Sequence, residues 1–198
     1  MTQFGQRRVS DPGLPGLFVD LYELTMASVY LDEGMDERAS FSLFVRDLPP
    51  TRRFLLAAGL DAALTWLERM HFTDEDVAYI ETLGHFSPMF LDWLRRFRFR
   101  GDVFAVPEGT PVFANEPLLE VEAGIAEAQL VETVLLNQMT VATLIASKGA
   151  RVVLAAGDQP VIDFGTRRSH GTDAALVAAR SLYLAGFAGT SNVQAGQI

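Results

Sequence analysis

Apolar positions recur at helical spacing through much of the first hundred residues, and capping signals cut them into separate helices. A helix opens at Asp20, which stands at capping-box spacing from Glu23; Tyr22, Met26, Val29 and Tyr30 share one face, and Gly34 marks the stop. Ser40 to Arg46 sets Phe41, Leu43 and Val45 against Ser42 and Phe44, which predicts a strand. A Pro-Pro turn follows over 48–51. Leu60 to Met70 is an amphipathic helix, and Thr73 with Asp76 caps another. Ser87 before Pro88 starts a fourth, because proline in the first helical position gives up no hydrogen bond.

The texture then changes. From Gly101 to Gly124 short apolar clusters alternate with Pro107, Gly109, Pro111, Asn115 and Pro117, the pattern of an antiparallel patch of small strands. Glu127 to Ala156 reads as one long helix ending at Gly157. It is apolar almost all round between Leu130 and Ile145, so burial on most sides is expected. Pro160 to Phe164 is a short strand, Gly165 to Gly171 a polar loop, and Thr172 caps a helix running to about Leu184. A new segment begins at Ser191. Strand, polar loop, helix and strand form the βαβ pattern of a parallel sheet. One such unit cannot close a barrel or fill both faces of a sheet. The expected fold class is α/β: a leader over 1–16, an α+β domain over 17–157, and the beginning of an α/β barrel domain over 158–198. Apolar surface around Val161, Ile162 and Val193 should then lie uncovered.

Composition narrows the partners. Of 198 residues, 49% are hydrophobic and 21% charged, which favours a packed core over disorder. The lack of cysteine removes disulfides, thiolate metal sites and a cysteine nucleophile, and it fits a reducing, cytoplasmic setting. The apolar, uncharged stretch from Thr133 to Ser147 is shorter than the roughly 20 residues of a membrane span and holds Asn137 and Gln138. A helix buried in protein, with no membrane partner, is expected. The net charge of −9 opposes a nucleic-acid partner. It leaves room for a local basic pocket around a small phosphorylated ligand. Lys148 is the only lysine, so arginine supplies the remaining cationic side chains, and arginine grips phosphate or carboxylate through two parallel bonds.

The segment from Asp163 to Asp173 carries the densest chemistry. It follows a strand, where α/β folds place their sites, and it offers Arg167 and Arg168 beside a helix start for an anion. Phe164 adds an aromatic face. A solvated loop with a core phenylalanine is the competing reading. Other features weigh less. His71 and His85 lack metal-ligand spacing and suit capping or packing. Arg95, Arg96, Arg98 and Arg100, interleaved with Phe97 and Phe99, suit a helix end better than nucleic-acid binding in so acidic a chain. Glu108, Glu116, Glu127 and Glu132 are too dispersed for a paired-carboxylate site, and there is no P-loop.

Asp20-Leu21-Tyr22-Glu23-Leu24-Thr25-Met26 resembles the opening D-L-Y-x-L-T-M of nicotinate phosphoribosyltransferases. Gly101 to Gly109 resembles that family's G-D-V-x-A-x-P-E-G. Asn115-Glu116-Pro117, Glu127 to Thr133 with Leu136-Asn137, Phe164 to Arg168 through Gly171, and Gly189 to Asn192 with Ala195-Gly196 also match, in the same order. Thr166 and Gln194 stand where family members usually carry a larger apolar residue.

The resemblance implies an α/β N-terminal domain packed on an irregular α/β barrel, in cytoplasmic homodimers whose active sites lie where two subunits meet. It implies joining of nicotinate to phosphoribosyl pyrophosphate, with release of pyrophosphate and coupled hydrolysis of ATP with Mg2+. By similarity, Phe164 stacks on one face of the pyridine ring and Tyr22 of a second subunit on the other. Arg167 binds phosphate or the nicotinate carboxylate, with Arg168 nearby. Nicotinamide-using relatives carry an aspartate near Ser191 and Asn192; here these two offer donors, which suit a carboxylate. The family's phosphohistidine lies in an A-H-S type segment beyond residue 198, so His170 is left a phosphate-proximal place at most and no catalytic residue is assigned. Two other readings stay open. One is a non-catalytic fragment that dimerises or binds a partner. The other is a quinolinate-type phosphoribosyltransferase, which needs further arginines.

Overall fold

Helix α1 (Leu21–Asp32) leads through β1 (Arg38–Phe44) and the two-residue β2 (Leu55–Leu56) to α2 (Leu60–Arg69), α3 (Asp74–Thr82) and α4 (Pro88–Arg96). Then come β3 (Asp102–Ala105), β4 (Pro111–Val112), β5 (Pro117–Gly124), α5 (Ile125–Leu130), α6 (Glu132–Ala156), β6 (Ile162–Asp163), α7 (Thr172–Leu184) and β7 (Gly189–Thr190). The computed structural model describes residues 15–197, so most of the expected leader lies outside the described residues. The described residues cluster into two compact units. One takes residues up to Ala39, Leu64–Asp102 and Glu122–Val134; the other takes Ser40–Ala63, Val103–Val121 and Leu135 onward.

In the first unit, α1 packs against α5 and α4, and α3 against α4. The predicted caps form: the Thr73 and Ser87 hydroxyls accept from the amides of Asp76 and Phe90 at 3.2 Å each. The buried face of α1 is Glu23, Leu24, Ala27 and Ser28. The predicted face of Tyr22, Met26 and Val29 is the exposed one. Glu23 accepts the Asp20 amide proton at 3.0 Å, as its spacing predicts, and its other oxygen accepts the Thr133 amide proton at 2.6 Å. The Asp20 carboxylate takes the Thr133 hydroxyl at 3.1 Å.

These contacts explain one departure from the sequence reading. The helix expected to run unbroken from Glu127 is two helices, α5 and α6, separated at Val131. The Thr133 amide is one of the free donors at the start of α6, and Glu23 satisfies it from α1. Burial raises the Glu23 carboxyl above its ordinary pKa, although the Thr133 and Asp20 amides pull it down.

In the second unit, the 101–124 region is not one antiparallel patch. β3 and β5 join β1 in a sheet of order β1–β5–β3, whereas β4 pairs antiparallel with β2, Leu55 opposite Val112. The turn over 107–110 causes the split, because it bonds to β2's continuation: the Gly109 amide donates to Ala57 O and the Ala57 amide to Thr110 O. On its other side the same segment is held by α6. The Leu56 amide donates to Ser147 Oγ at 2.8 Å, and the Ala58 amide to Thr143 Oγ1 at 3.2 Å. Leu56, Ala58, Ala142 and Ala146 form the apolar seam, flanked by Val177, Leu184 and Ala185 of the α7 region. At Gly149 of α6 a Cβ would lie 2.7 Å from Leu182, so glycine permits the two helices to approach.

Helix α6 is less buried than its composition predicts. Leu136, Val141, Leu144, Val152 and Leu154 are exposed. Its length and apolar character would suffice to cross a membrane, but Thr143 and Ser147 are committed to the β2 backbone.

Glu108 connects three segments of this unit. It accepts the Gly59 and Leu60 amides at 2.6 and 3.1 Å at the start of α2, where the helix dipole favours negative charge. Both its oxygens also accept from Arg180 of α7, at 2.9 and 2.7 Å. Burial opposes its ionisation, yet Arg180 and the two amides outweigh burial and hold the carboxyl below its ordinary range.

Two stability outcomes follow, both read by urea unfolding. Ser147→Ala leaves the buried Leu56 amide without its acceptor and should cost about 1–3 kcal/mol, whereas Leu154→Ser, at a side chain 71% exposed, should stay within about 0.5 kcal/mol. Because Glu108 has a lowered pKa in the fold, its stabilisation is present above the unfolded carboxylate value of about 4.3 and fades as pH falls through the folded value. Glu108→Gln should therefore cost about 1–2 kcal/mol at pH 7, allowing for the partly exposed Arg180, and the gap to the parent chain should close below about pH 4. A gap constant with pH would show that the charge of Glu108 does not matter.

Candidate functional site

The βαβ pattern is realised. β6 and β7 are parallel neighbours, Ile162 opposite Gly189 and Asp163 opposite Thr190, with α7 as the crossover. Phe164 leaves β6 and Ser191 leaves β7 directly after the paired residues Asp163 and Thr190. The Ser191 amide donates to Asp163 O at 2.8 Å, extending the ladder by one bond. Side chains at the C-terminal ends of neighbouring parallel strands share one edge of the sheet.

After Phe164 the chain turns through a 3-10 helix over Thr166–Arg168 before α7 begins. The predicted cap at Thr172 moves by one residue: Thr172 is the first residue of α7, and Gly171, at φ 106°, takes the cap position. Phe164 is 67% exposed, an aromatic face with no ring packed on it among the described residues. Arg167 and Arg168 are exposed and carry no carboxylate partner among the described residues. Asn192 uses its side-chain oxygen to accept the Ala195 amide at 3.1 Å, and its NH2 group remains a donor. Ser191 is exposed. The neighbouring apolar side chains are also open to solvent, as expected: Ile162 is exposed and Val193 is 90% exposed.

Asp163 itself is buried. One carboxylate oxygen accepts the Gly165 amide at 2.8 Å, and the other accepts the Thr190 hydroxyl at 2.8 Å. Thr190 Oγ1 in turn accepts the Asn192 amide at 3.1 Å.

Tyr22 belongs to the first unit, in the first turn of α1, and is 45% exposed. Partial burial and a hydrogen bond with the Glu132 carboxylate raise its hydroxyl to about 12, so the phenol stays neutral at physiological pH. The ring is thus held at its polar end and open along its side.

The remaining candidates take structural roles. His71 Nδ1 lies 2.7 Å from Arg69 O, and His85 sits edge-on to Phe86. His170 is exposed. Arg96 pairs with Asp92 at 2.6 Å and Arg95 with Asp74 at 3.8 Å, as befits a helix end. Among the described residues no three His, Asp or Glu side chains gather to hold a metal.

Three residues that the spacing did not single out matter most to this geometry: Glu108, Asp163 and Thr190. Each lies inside or beside a matched motif, but its partner is 27 or more residues away, which only the fold reveals. Chemically, the two strand ends present an aromatic face, guanidinium groups without a carboxylate partner among the described residues, and hydroxyl and amide donors. Such a set can stack a flat ring and hold anionic groups.

The model of the nicotinate phosphoribosyltransferase N-terminal domain matches residues 17–140. Nicotinate phosphoribosyltransferase pncB2 of Mycobacterium tuberculosis is 54% identical over 181 residues, covering 91% of this chain and 39% of that protein. The Bacillus subtilis nicotinate phosphoribosyltransferase is 43% identical, covering 91% of this chain and 37% of that protein. Among solved structures, human nicotinic acid phosphoribosyltransferase superposes with a TM-score of 0.84 at 38% identity, over 90% of this chain and 37% of that one. The chain therefore spans less than two fifths of the length of these relatives, and by sequence and fold it belongs to the nicotinate phosphoribosyltransferase family, whose N-terminal domain it contains.

Proposed function

We propose that this chain is the N-terminal part of an enzyme that joins nicotinate to phosphoribosyl pyrophosphate, giving nicotinate mononucleotide and pyrophosphate in NAD biosynthesis. The observation that carries the reading is the pairing of β6 with β7, because it sets Phe164 and Arg167 on one strand end and Ser191 and Asn192 on the next.

In this reaction the pyridine nitrogen attacks C1 of the ribose as pyrophosphate leaves. Positive charge develops on the sugar and negative charge on the leaving group, so the protein mainly orients the ring and neutralises phosphate. Phe164 stacks on the ring and fixes its plane. Arg167 pairs with phosphate or the nicotinate carboxylate, with Arg168 as a nearby reserve of positive charge. Ser191 and Asn192 donate to the carboxylate, where an acidic side chain would repel it. Tyr22 covers the second face of the ring from the other subunit of a homodimer; its neutral phenol and open ring edge suit that place. ATP with Mg2+ completes the substrate set through the family resemblance. The described residues hold no carboxylate cage for the ion, and none of these side-chain roles runs through it. The 158–198 region is the opening of the barrel domain. Cytoplasmic location fits the cysteine-free composition.

Steady-state kinetics with nicotinate and nicotinamide in the whole enzyme test these roles. Arg167→Ala should weaken ligand binding by about 1.5–3 kcal/mol, the range for a hydrogen bond to a charged group. Phe164→Ala should act mainly on the nicotinate KM. Ser191→Asp and Asn192→Asp should each lower the preference for nicotinate at least about tenfold, since like charges brought together cost on the order of a few kcal/mol. Unchanged preference in both aspartate variants would remove the carboxylate-recognition role.

A further inference from the structure

The two turns that carry the ligand-facing groups are tied to each other by one buried side chain. Asp163 closes β6, and its carboxylate divides between them: one oxygen takes the Gly165 amide at the head of the Phe164–Arg168 turn, the other takes the Thr190 hydroxyl on β7. Its backbone oxygen takes the Ser191 amide. Thr190 then passes the restraint on, because its Oγ1 accepts the Asn192 amide. The two strands are otherwise joined by backbone bonds, among them those of the Ala188 and Ser191 amides to the Val161 and Asp163 oxygens. The β6–β7 ladder is only two residues long in each strand, and the flanking Ile162, Phe164 and Val193 are exposed rather than packed. The Asp163 carboxylate adds a side-chain link between the head of one turn and the strand that leads into the other. A Cβ at Gly165 would stand 3.0 Å from the same oxygen, so the turn leaves no spare room around this bond.

We propose that Asp163 is a positioning residue for the nicotinate reaction: through Gly165 and Thr190 its carboxylate locks the Phe164–Arg168 turn to the Ser191–Asn192 turn, so that the stacking face and the carboxylate donors meet the ligand as one rigid unit. This rests on the function proposed above. A carboxylate suits this place because its two oxygens accept from two donors, the Gly165 amide and the Thr190 hydroxyl. Asp163→Ala removes both acceptor oxygens and with them the side-chain link between the two turns. A displacement of about 1 Å in a positioned group lowers catalysis by roughly a hundredfold.

The test uses Asp163→Ala, Thr190→Val and Thr190→Ser in the whole enzyme. Two readouts are taken: kinetics with nicotinate and nicotinamide, and hydrogen–deuterium exchange of 164–168 and 191–195. The expected result is a fall of roughly 10- to 100-fold in kcat/KM for nicotinate in Asp163→Ala and Thr190→Val, with a reduced preference over nicotinamide. Thr190→Ser keeps the hydroxyl and should restore both values to within about threefold of the parent, a rescue that a loss of bulk packing would not show. Exchange at 164–168 should quicken in Thr190→Val, although that substitution lies on the other strand. If Thr190→Val leaves exchange at 164–168 and the nicotinate preference unchanged, or if it only lowers Tm, the lock is refuted. A parent enzyme inactive on nicotinate would overturn the function proposed above, while the exchange readout would still decide whether Asp163 couples the two turns.

Discussion

A single carboxylate, Glu108, holds the second unit in register. It stands in a proline- and glycine-rich turn, yet it caps the start of α2 through the Gly59 and Leu60 amides and grips Arg180 of α7 with both oxygens. A charged group with four such bonds stays ionised despite partial burial, and its ionisation is what makes it an effective clamp. Turn, helix start and crossover helix are far apart in the chain. Their common acceptor replaces the extensive strand ladder that β2, β4, β6 and β7, each two residues long, do not supply.

From that clamp the rest of the unit follows by packing. α7 lies close along α6 because Gly149 and a seam of alanines leave room for it. With α7 fixed as the crossover, β6 and β7 meet in parallel register, and their C-terminal ends open on one side. Hydroxyl groups of α6 hold the backbone of the β2 segment, so even the polar residues of this apolar helix serve the interior. The candidate site lies at the end of this series of contacts. It combines the buried, hydrogen-bonded Asp163 and its partner Thr190 with exposed Phe164, Arg167 and Ser191 and half-buried Asn192. A buried bonded carboxylate beneath exposed donors and an aromatic face is the division of labour expected where a ligand must be oriented without distortion of the scaffold.

Much of this was legible in the sequence. The caps at Asp20, Thr73 and Ser87, the strand at Ser40–Arg46 and the βαβ sequence after Pro160 are local signals, set by nearest neighbours in the chain, and they appear within a few residues of their expected places. Where reading the sequence fell short, the deciding partner was distant. The break at Val131 accompanies Glu23 reaching across from α1. The division of the 101–124 strands between two sheets depends on bonds to the β2 segment. The open face of α6 shows that apolar composition fixes helical form but not which sides are covered. Arg167 and Phe164 stood out because their types suit anion and ring binding. Asp163 and Glu108 did not, since a lone carboxylate in a motif looks the same whether it faces solvent or a buried hydroxyl.

The central claim is that the ends of β6 and β7 form one nicotinate pocket. The most direct measurement is a crystal structure of the whole enzyme with nicotinate bound. The account predicts the pyridine ring within about 4.5 Å of the Phe164 ring and its carboxylate within about 3.2 Å of a donor on Ser191, Asn192 or Arg167. Nicotinate bound away from both strand ends, or lying against Phe164 with its carboxylate turned from all three donors, would contradict it.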